Sequence, residues 1–366
     1  MFPDMALWLK ILLAGLVAFG VSFLLTPAVK RFAELVGAID VPKDGRRMHD
    51  HPIPRMGGLA IFLGFVLAVL LFVPLTRQIT GILLGALIIA VMGAIDDILC
   101  LKPWVKLLGQ VVAAAVAIRC GVVFDTISNF IPLTEGQVWE IGWLAIPLTV
   151  LWIVGCTNAV NLIDGLDGLA VGVSGISSLT MLLVSLLVAE PSCSLLLAAL
   201  TGACVGFMPY NLNPAKIFMG DVGSQTLGFV LATVSILGLF KLHAIITFLV
   251  PLLALAVPLA DTVFAFFRRI LHGQSPFHAD RGHFHHRLMD MGMNQKQVVA
   301  FLYGISAILG LIAVLLASNG VLVRVVCLVV AFAISITVWL VVFRQNPNLH
   351  PPEHHAAEAK EEPKND

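Results

Sequence analysis

Apolar runs of sixteen to twenty-four residues recur along the whole chain. A helix needs about 20 such residues to cross a bilayer. In lipid the backbone must satisfy its own hydrogen bonds, so runs of this kind fold as helices. The spans predicted are 7–26, 57–75, 79–95, 107–123, 143–158, 168–188, 194–209, 225–240, 244–267, 298–317 and 321–343, about eleven in all. Only 12% of the 366 residues are charged, against roughly 25% in soluble domains. A soluble globular domain and a disordered chain are both excluded. The fold class is therefore all-α, a polytopic membrane protein.

Two segments fall outside this pattern. Residues 124–142 mix Asp125, Glu135 and Glu140 with apolar residues, and read as an interfacial helix or hairpin. The polar stretch 346–366 reads as a disordered tail behind a membrane domain spanning 1–345. The N-terminal run has Asp4 ahead of it instead of a basic cluster and is read as a retained first helix, not a signal peptide.

Charge sets the expected orientation. One set of loops, with the tail, carries 17 Lys or Arg, and the opposite side carries 5. The positive-inside rule puts the first set in the cytoplasm, with the N-terminus outside and the C-terminus inside. Formal net charge is zero, so no broad basic field exists to hold nucleic acid. The six Cys are scattered and form no CxxC, which supports neither a zinc site nor a disulfide framework.

Against this apolar background the polar residues are few, and five segments on the expected cytoplasmic side concentrate them. The first holds Lys43, Arg46, Arg47 and His49, then Pro52-Ile-Pro-Arg55-Met-Gly57-Gly58. A helix opening near Gly57 can offer N–H groups to a phosphate; the segment also suits an anchor to anionic headgroups. The second closes an apolar helix with Asp96 and Asp97 and continues to Lys106. Two adjacent carboxylates in such a place call for a cation, and Mg²⁺ prefers oxygen ligands.

The third segment steps by three through Asn158, Asn161, Asp164 and Asp167, a spacing that places them on one helix face. In the fourth, Asp221 stands between glycines at a helix start, as a metal ligand or an N-cap. The fifth, His278-Ala-Asp-Arg281-Gly-His283-Phe-His285-His286-Arg287, lacks the spacing of zinc motifs. Its cations and donors suit phosphate and sugar oxygens. Together the segments describe a metal-assisted phosphoryl-transfer site at the membrane surface. A secondary transporter is the competing class, but its acids would sit near mid-bilayer and not at helix ends.

Asp96-Asp97, the Asn158–Gly168 run, Phe218-Met-Gly-Asp221-Val-Gly-Ser224 and His283-Phe-His-His286 occur in the order seen in one family. From about residue 20 to 343 the chain resembles the polyprenyl-phosphate N-acetylhexosamine-1-phosphate transferases. That resemblance implies transfer of a sugar 1-phosphate from a UDP-sugar to a polyprenyl phosphate, with release of UMP. Arg46-Arg47-Met-His49 and Asp280–Leu288 resemble the bacterial branch that uses UDP-N-acetylglucosamine and undecaprenyl phosphate, in the inner membrane. Ile53-Pro-Arg55-Met and the interrupting Phe284 depart from the phospho-MurNAc-pentapeptide branch.

By the same resemblance Asp221 matches an Mg²⁺ ligand, with Mn²⁺ as a possible substitute. Asp96 and Asp97 match a catalytic pair that also faces the metal. Asn158, Asn161, Asp164 and Asp167 match the nucleotide and active-site stripe, with the two acids catalytic. Lys106 matches a phosphate-side lysine. Arg281, His283, His285 and His286 match the loop that reads sugar and diphosphate, with His283 catalytic, and Lys43, Arg46 and Arg47 are assigned to substrate binding. The partners implied are the UDP-sugar, the lipid phosphate and membrane lipid, with a homodimer left open. Direct displacement and a double displacement through a phosphorylated Asp are both compatible with these residues.

Overall fold

The computed structural model describes residues 5–42, 51–124, 126–128, 138–140, 142–239, 245–271, 283–318 and 320–342. Thirteen α-helices run through them: α1 (Leu7–Leu35), α2 (Gly58–Phe72), α3 (Arg77–Leu99), α4 (Pro103–Arg119), α5 (Ala145–Leu162), α6 (Leu169–Leu187), α7 (Pro191–Asn211), α8 (Gly220–Val234), α9 (Ile245–Ala254), α10 (Ala256–Leu271), α11 (Phe284–Asp290), α12 (Gln295–Ala317) and α13 (Val321–Val342). Two short antiparallel pairs accompany them: β1 (Ile39–Asp40) with β2 (Ile53–Pro54), and β3 (Thr126–Ser128) with β4 (Val138–Glu140). The second pair is the hairpin form of the two readings of 124–142.

Every expected span meets a helix, and among the described residues eight helical segments are long and apolar enough to cross a membrane. The protein is an all-α polytopic membrane protein. Three of the eleven expected spans are short or broken among the described residues. Span 57–75 is a helix of 15 residues and span 107–123 one of 17. Span 244–267 divides between α9 and α10. Pro258 lies four residues beyond Ala254; it has no N–H for that carbonyl, and its ring crowds it. The Ala254 carbonyl instead accepts from Ser177 Oγ on α6.

α8 is the centre of the bundle. All of its residues from Gly220 to Val234 are buried, under α2, α3 and α5. α13 lies at the other extreme, with Cys327 and Val342 its only buried residues. Apolar exposure of that kind fits a lipid-facing helix. The approach to α8 is close: a Cβ on Gly58 would stand 2.0 Å from Gly223 Cα, and one on Gly93 2.6 Å from Val222 Cα. Bare backbone at these crossings lets the ends of α2, α3 and α8 meet. The C-termini of α3 and α5 and the N-termini of α4, α6 and α8 consequently lie at one end of the bundle.

Candidate active site

The last turn of α3 carries Asp96 and Asp97, which are 6% and 5% exposed. Asp97 caps α8: Oδ1 accepts from Asp221 N at 3.0 Å and Oδ2 from Val222 N at 3.3 Å. A carboxylate at a helix N-terminus satisfies orphan donors and meets the positive end of the helix dipole. Gly220 makes the contact possible. Its φ is +69°, and a Cβ there would lie 2.3 Å from Asp97 Oδ2.

Asp221 then projects from the first turn of α8 into a ring of donors. Lys106 Nζ lies 2.7 Å from its Oδ2 and 2.6 Å from Asp96 Oδ2, bridging the two acids. Gln225 Nε2 donates to Oδ2 at 2.8 Å, and Asn161 Nδ2 to Oδ1 at 3.3 Å. Arg55 reaches Asp97 at 3.5 Å and Asp221 at 3.7 Å. Behind them, Gln110 bonds both Asn158 and Gln225, and Asn161 donates to Ser224 Oγ at 2.8 Å. Residues from the N-terminal loops and from α3, α4, α5 and α8 thus converge on one patch.

Asp164 borders this patch in the turn after α5. Burial above all, then the negative charge of Asp221, pushes its carboxyl up to about 7. Asp167 turns elsewhere: its Oδ2 accepts from Asn213 Nδ2 at 2.9 Å and Ala215 N at 3.0 Å, which ties down the loop before α8. The expected four-residue stripe therefore divides. Asn158 and Asn161 share a face of α5, but the helix ends at Leu162 and Gly168 adopts φ +79°, so Asp164 and Asp167 leave that face. Of the two readings of the Gly57 segment, the phosphate cradle finds no free N–H at Gly57 or Gly58. Gly57 N and Gly58 N donate to the carbonyls of Phe218 and Met219, which joins this loop to the start of α8.

The histidines form a second group. His283 precedes α11, with its Nδ1 2.8 Å from Asp261 Oδ2 on α10. Its ring stacks on His285 at 5.8 Å, and His285 lies 4.3 Å from the His286 ring. His285 packs on the 163–168 turn, where a Cβ on Gly165 would stand 2.5 Å from its Nε2. Burial, then the neighbouring His286 and His283, brings His285 down to about 4, so its ring is neutral at pH 7. Lys43, Arg46, Arg47 and Arg281 lie outside the described residues.

Five side chains in these networks escaped the sequence-based site assignment. Arg55 marks a branch in the sequence without a role in the site, and Gln110, Ser224 and Gln225 are uncharged residues beside the acids and Lys106 that no spacing singles out. Asp261 left a usable signal, being the only acid between 244 and 267, and an acid inside an apolar span is a functional candidate by default.

Among the described residues no group of three or more His, Cys, Asp or Glu is arranged to hold a metal by itself. Asp96 and Asp221 nevertheless converge on a cation, the Lys106 ammonium. Among the described residues, the three carboxylates of Asp96, Asp97 and Asp221 meet two cations, Lys106 and Arg55. Mg²⁺ is commonly held by one or two carboxylates plus waters and substrate phosphates. The residues present fit that mode of binding.

Residues 79–239 match the family model described as glycosyl transferase family 4. The chain is 43% identical over 312 residues to the probable undecaprenyl-phosphate N-acetylglucosaminyl 1-phosphate transferase of Bacillus subtilis (strain 168), covering 85% of this chain and 86% of that one. It is 34% identical over 326 residues to the decaprenyl-phosphate N-acetylglucosaminephosphotransferase of Mycobacterium tuberculosis (strain ATCC 25618 / H37Rv), 80% of this chain and 79% of that one. A phospho-N-acetylmuramoyl-pentapeptide-transferase, from Heliobacterium modesticaldum (strain ATCC 51547 / Ice1), is 33% identical over 242 residues, 62% of this chain and 75% of that one.

Proposed function

The chain belongs to glycosyl transferase family 4, and on that basis we propose that it transfers N-acetylglucosamine 1-phosphate from UDP-N-acetylglucosamine to undecaprenyl phosphate. The products are undecaprenyl-diphosphate-N-acetylglucosamine and UMP. This would be the first membrane step of a cell-envelope polysaccharide in the bacterial cell membrane. The observation that carries the reading is the convergence of Asp96, Asp97 and Asp221 on Lys106 and Arg55 at one end of the bundle, where a lipid-borne phosphate would lie.

The lipid phosphate is the nucleophile. With a second pKa of about 6, by analogy with phosphorylated side chains, it is largely dianionic at pH 7. Its oxygen forms a bond to the sugar-linked phosphorus, and the bond from that phosphorus to the bridging oxygen breaks, releasing UMP. Repulsion among the phosphates is the main obstacle. Lys106 and Arg55 offset it, beside the largely buried carboxylates of Asp96, Asp97 and Asp221.

Asp221 and Asp96 would hold Mg²⁺, with Mn²⁺ as a substitute. When bound, the ion supplies charge stabilisation at the diphosphate oxygens. Asp97, with both oxygens committed to α8, holds Asp221 in place. Direct displacement is favoured over a phosphorylated Asp96, Asp97 or Asp221, because hydrogen bonds and ion pairs occupy all three carboxylates. Asn158 and Asn161 support the nucleotide side, and the histidine group reads the sugar.

UMP release should be measured with UDP-N-acetylglucosamine and with UDP-MurNAc-pentapeptide, each with undecaprenyl phosphate and with or without a chelator. Turnover of the first alone, abolished by the chelator and restored by Mg²⁺, is expected. Turnover of the pentapeptide substrate alone would move the chain to the peptidoglycan reaction. The site would face the cytoplasm, given the 17-to-5 distribution of Lys and Arg. Labelling of a cysteine placed at 283–290 by an impermeant reagent outside intact cells would reverse that orientation.

A further inference from the structure

One buried acid has no part in the scheme above. Asp261 is 1% exposed on α10, in an otherwise apolar stretch. A charge there is costly unless it is fully engaged. Both of its oxygens are engaged, and both by the start of the histidine helix. Oδ2 lies 2.8 Å from His283 Nδ1, and Oδ1 accepts from Phe284 N at 2.7 Å. One carboxylate therefore holds a ring and the first backbone N–H of α11 together.

The chemistry of this pair is directional. An ionised carboxylate only accepts hydrogen bonds, so Nδ1 must carry the proton, and Nε2 is the ring's remaining polar atom. The ring is also held in plane. It lies parallel to His285, 6° apart, and His285 in turn rests on the Gly165 turn beside Asp164.

We propose that Asp261 is a positioning residue for the transfer reaction: it fixes His283 in the Nδ1–H form and seats α11 against the 163–168 turn, so that Nε2 is presented to the nucleotide sugar. This rests on the reaction proposed above. The arrangement has the logic of His–carboxylate pairs in which the acid sets tautomer and orientation without itself reacting.

Asp261→Asn tests it in the full-length protein. The amide oxygen can still accept from Phe284 N, while the amide nitrogen now donates to Nδ1 and moves the ring proton to Nε2. kcat should fall by about 10²-fold or more, with KM for UDP-N-acetylglucosamine within about threefold. Histidine ¹⁵N spectra should show the His283 proton moving from Nδ1 to Nε2. His283→Gln should lose as much as Asp261→Asn, and the double variant little more, since residues acting as one unit are not additive. Asp261→Glu, which keeps the carboxylate, should recover part of the rate, and it serves as the probe where the Asn variant does not fold.

A switched tautomer with unchanged kcat would overturn the proposal. So would losses that multiply in the double variant, or a loss that follows only the thermal unfolding midpoint. Failure of the transfer reaction itself would show separately, as no UMP release by the unaltered protein.

Discussion

Asp96, Asp97 and Asp221 stand on helices of 23 and 15 residues, locked at their crossing by Gly93, Gly220 and the capping of α8. His283, His285 and His286 accompany a helix of seven residues, joined to this end of the bundle through Asp261 and Gly165. The first group is part of the packing, and its charges cannot shift without moving α8. The second is a small unit that also packs on α12 and, through Phe284 and Arg287, on Phe264 of α10. The difference separates two tasks: the bundle sets a field for phosphates, and the attached helix adds contacts that can change without rebuilding the bundle.

The largest effect is expected at Asp97. Asp97→Ala removes the acceptor of two α8 N–H groups and a partner of Arg55. Leaving buried N–H donors of this kind without an acceptor costs about 1–3 kcal/mol each. Turnover should fall by at least about 10³-fold, the scale of losing a preorganised electrostatic contact together with its geometry. Thermal unfolding in detergent and UMP release measure both. An inactive variant with an unchanged unfolding midpoint would break the claim that this region joins stability to chemistry.

A smaller and more selective effect is expected at Gly165. Gly165→Ala pushes His285 away from the 163–168 turn. Overpacking against the tip of one side chain should cost about 1 kcal/mol. Turnover should fall about tenfold, equivalent to about 1.4 kcal/mol of barrier. A stability loss as large as that of Asp97→Ala would show that the histidine helix is bound into the bundle after all.

The smallest effect is a pair of opposed pH dependences. The Asp164 carboxyl rises from 3.8 to about 7 on folding, so the folded protein keeps a proton that the unfolded chain has released. Its contribution to stability therefore declines as pH rises between those values. His285 falls from 6.5 to about 4, so there the unfolded chain binds the extra proton, and stability declines as pH drops through that window. Between about pH 4 and 6.5 the two oppose each other, and this pair leaves the wild type nearly flat. Asp164→Asn should give an unfolding midpoint that climbs with pH across this range, and His285→Gln one that falls. Two variants with the same slope as wild type would contradict both assignments of burial.

The candidate residues that the structure brings together are those where polarity stands against an apolar background. Asp96, Asp97, Lys106, Asn161 and Asp221 are conspicuous because apolar runs adjoin them, and all of them meet in the structure. The stripe through Asp167 failed because a three-residue step implies one face only while the helix continues, and this one stops at Leu162. The Gly57 cradle failed because its N–H groups meet the carbonyls of Phe218 and Met219, a pairing between segments about 160 residues apart. Arg55 and Asp261 each owe their place to partners distant in the chain, Asp97 and His283, that no local spacing announces.

The sequence alone determined the solvent, the helical class, the approximate position of each span and the end of the bundle where the polar residues gather. Those properties follow from local hydropathy and from the need of each backbone in lipid to satisfy itself. Only the tertiary structure decided that Asp97 caps α8, that Lys106 bridges Asp96 and Asp221, and that Asp261 holds His283. Each of these contacts depends on helices crossing at glycine distance or on loops meeting across the bundle. Their energies are set by which donors and acceptors lose water together, and that is decided only when distant segments pack.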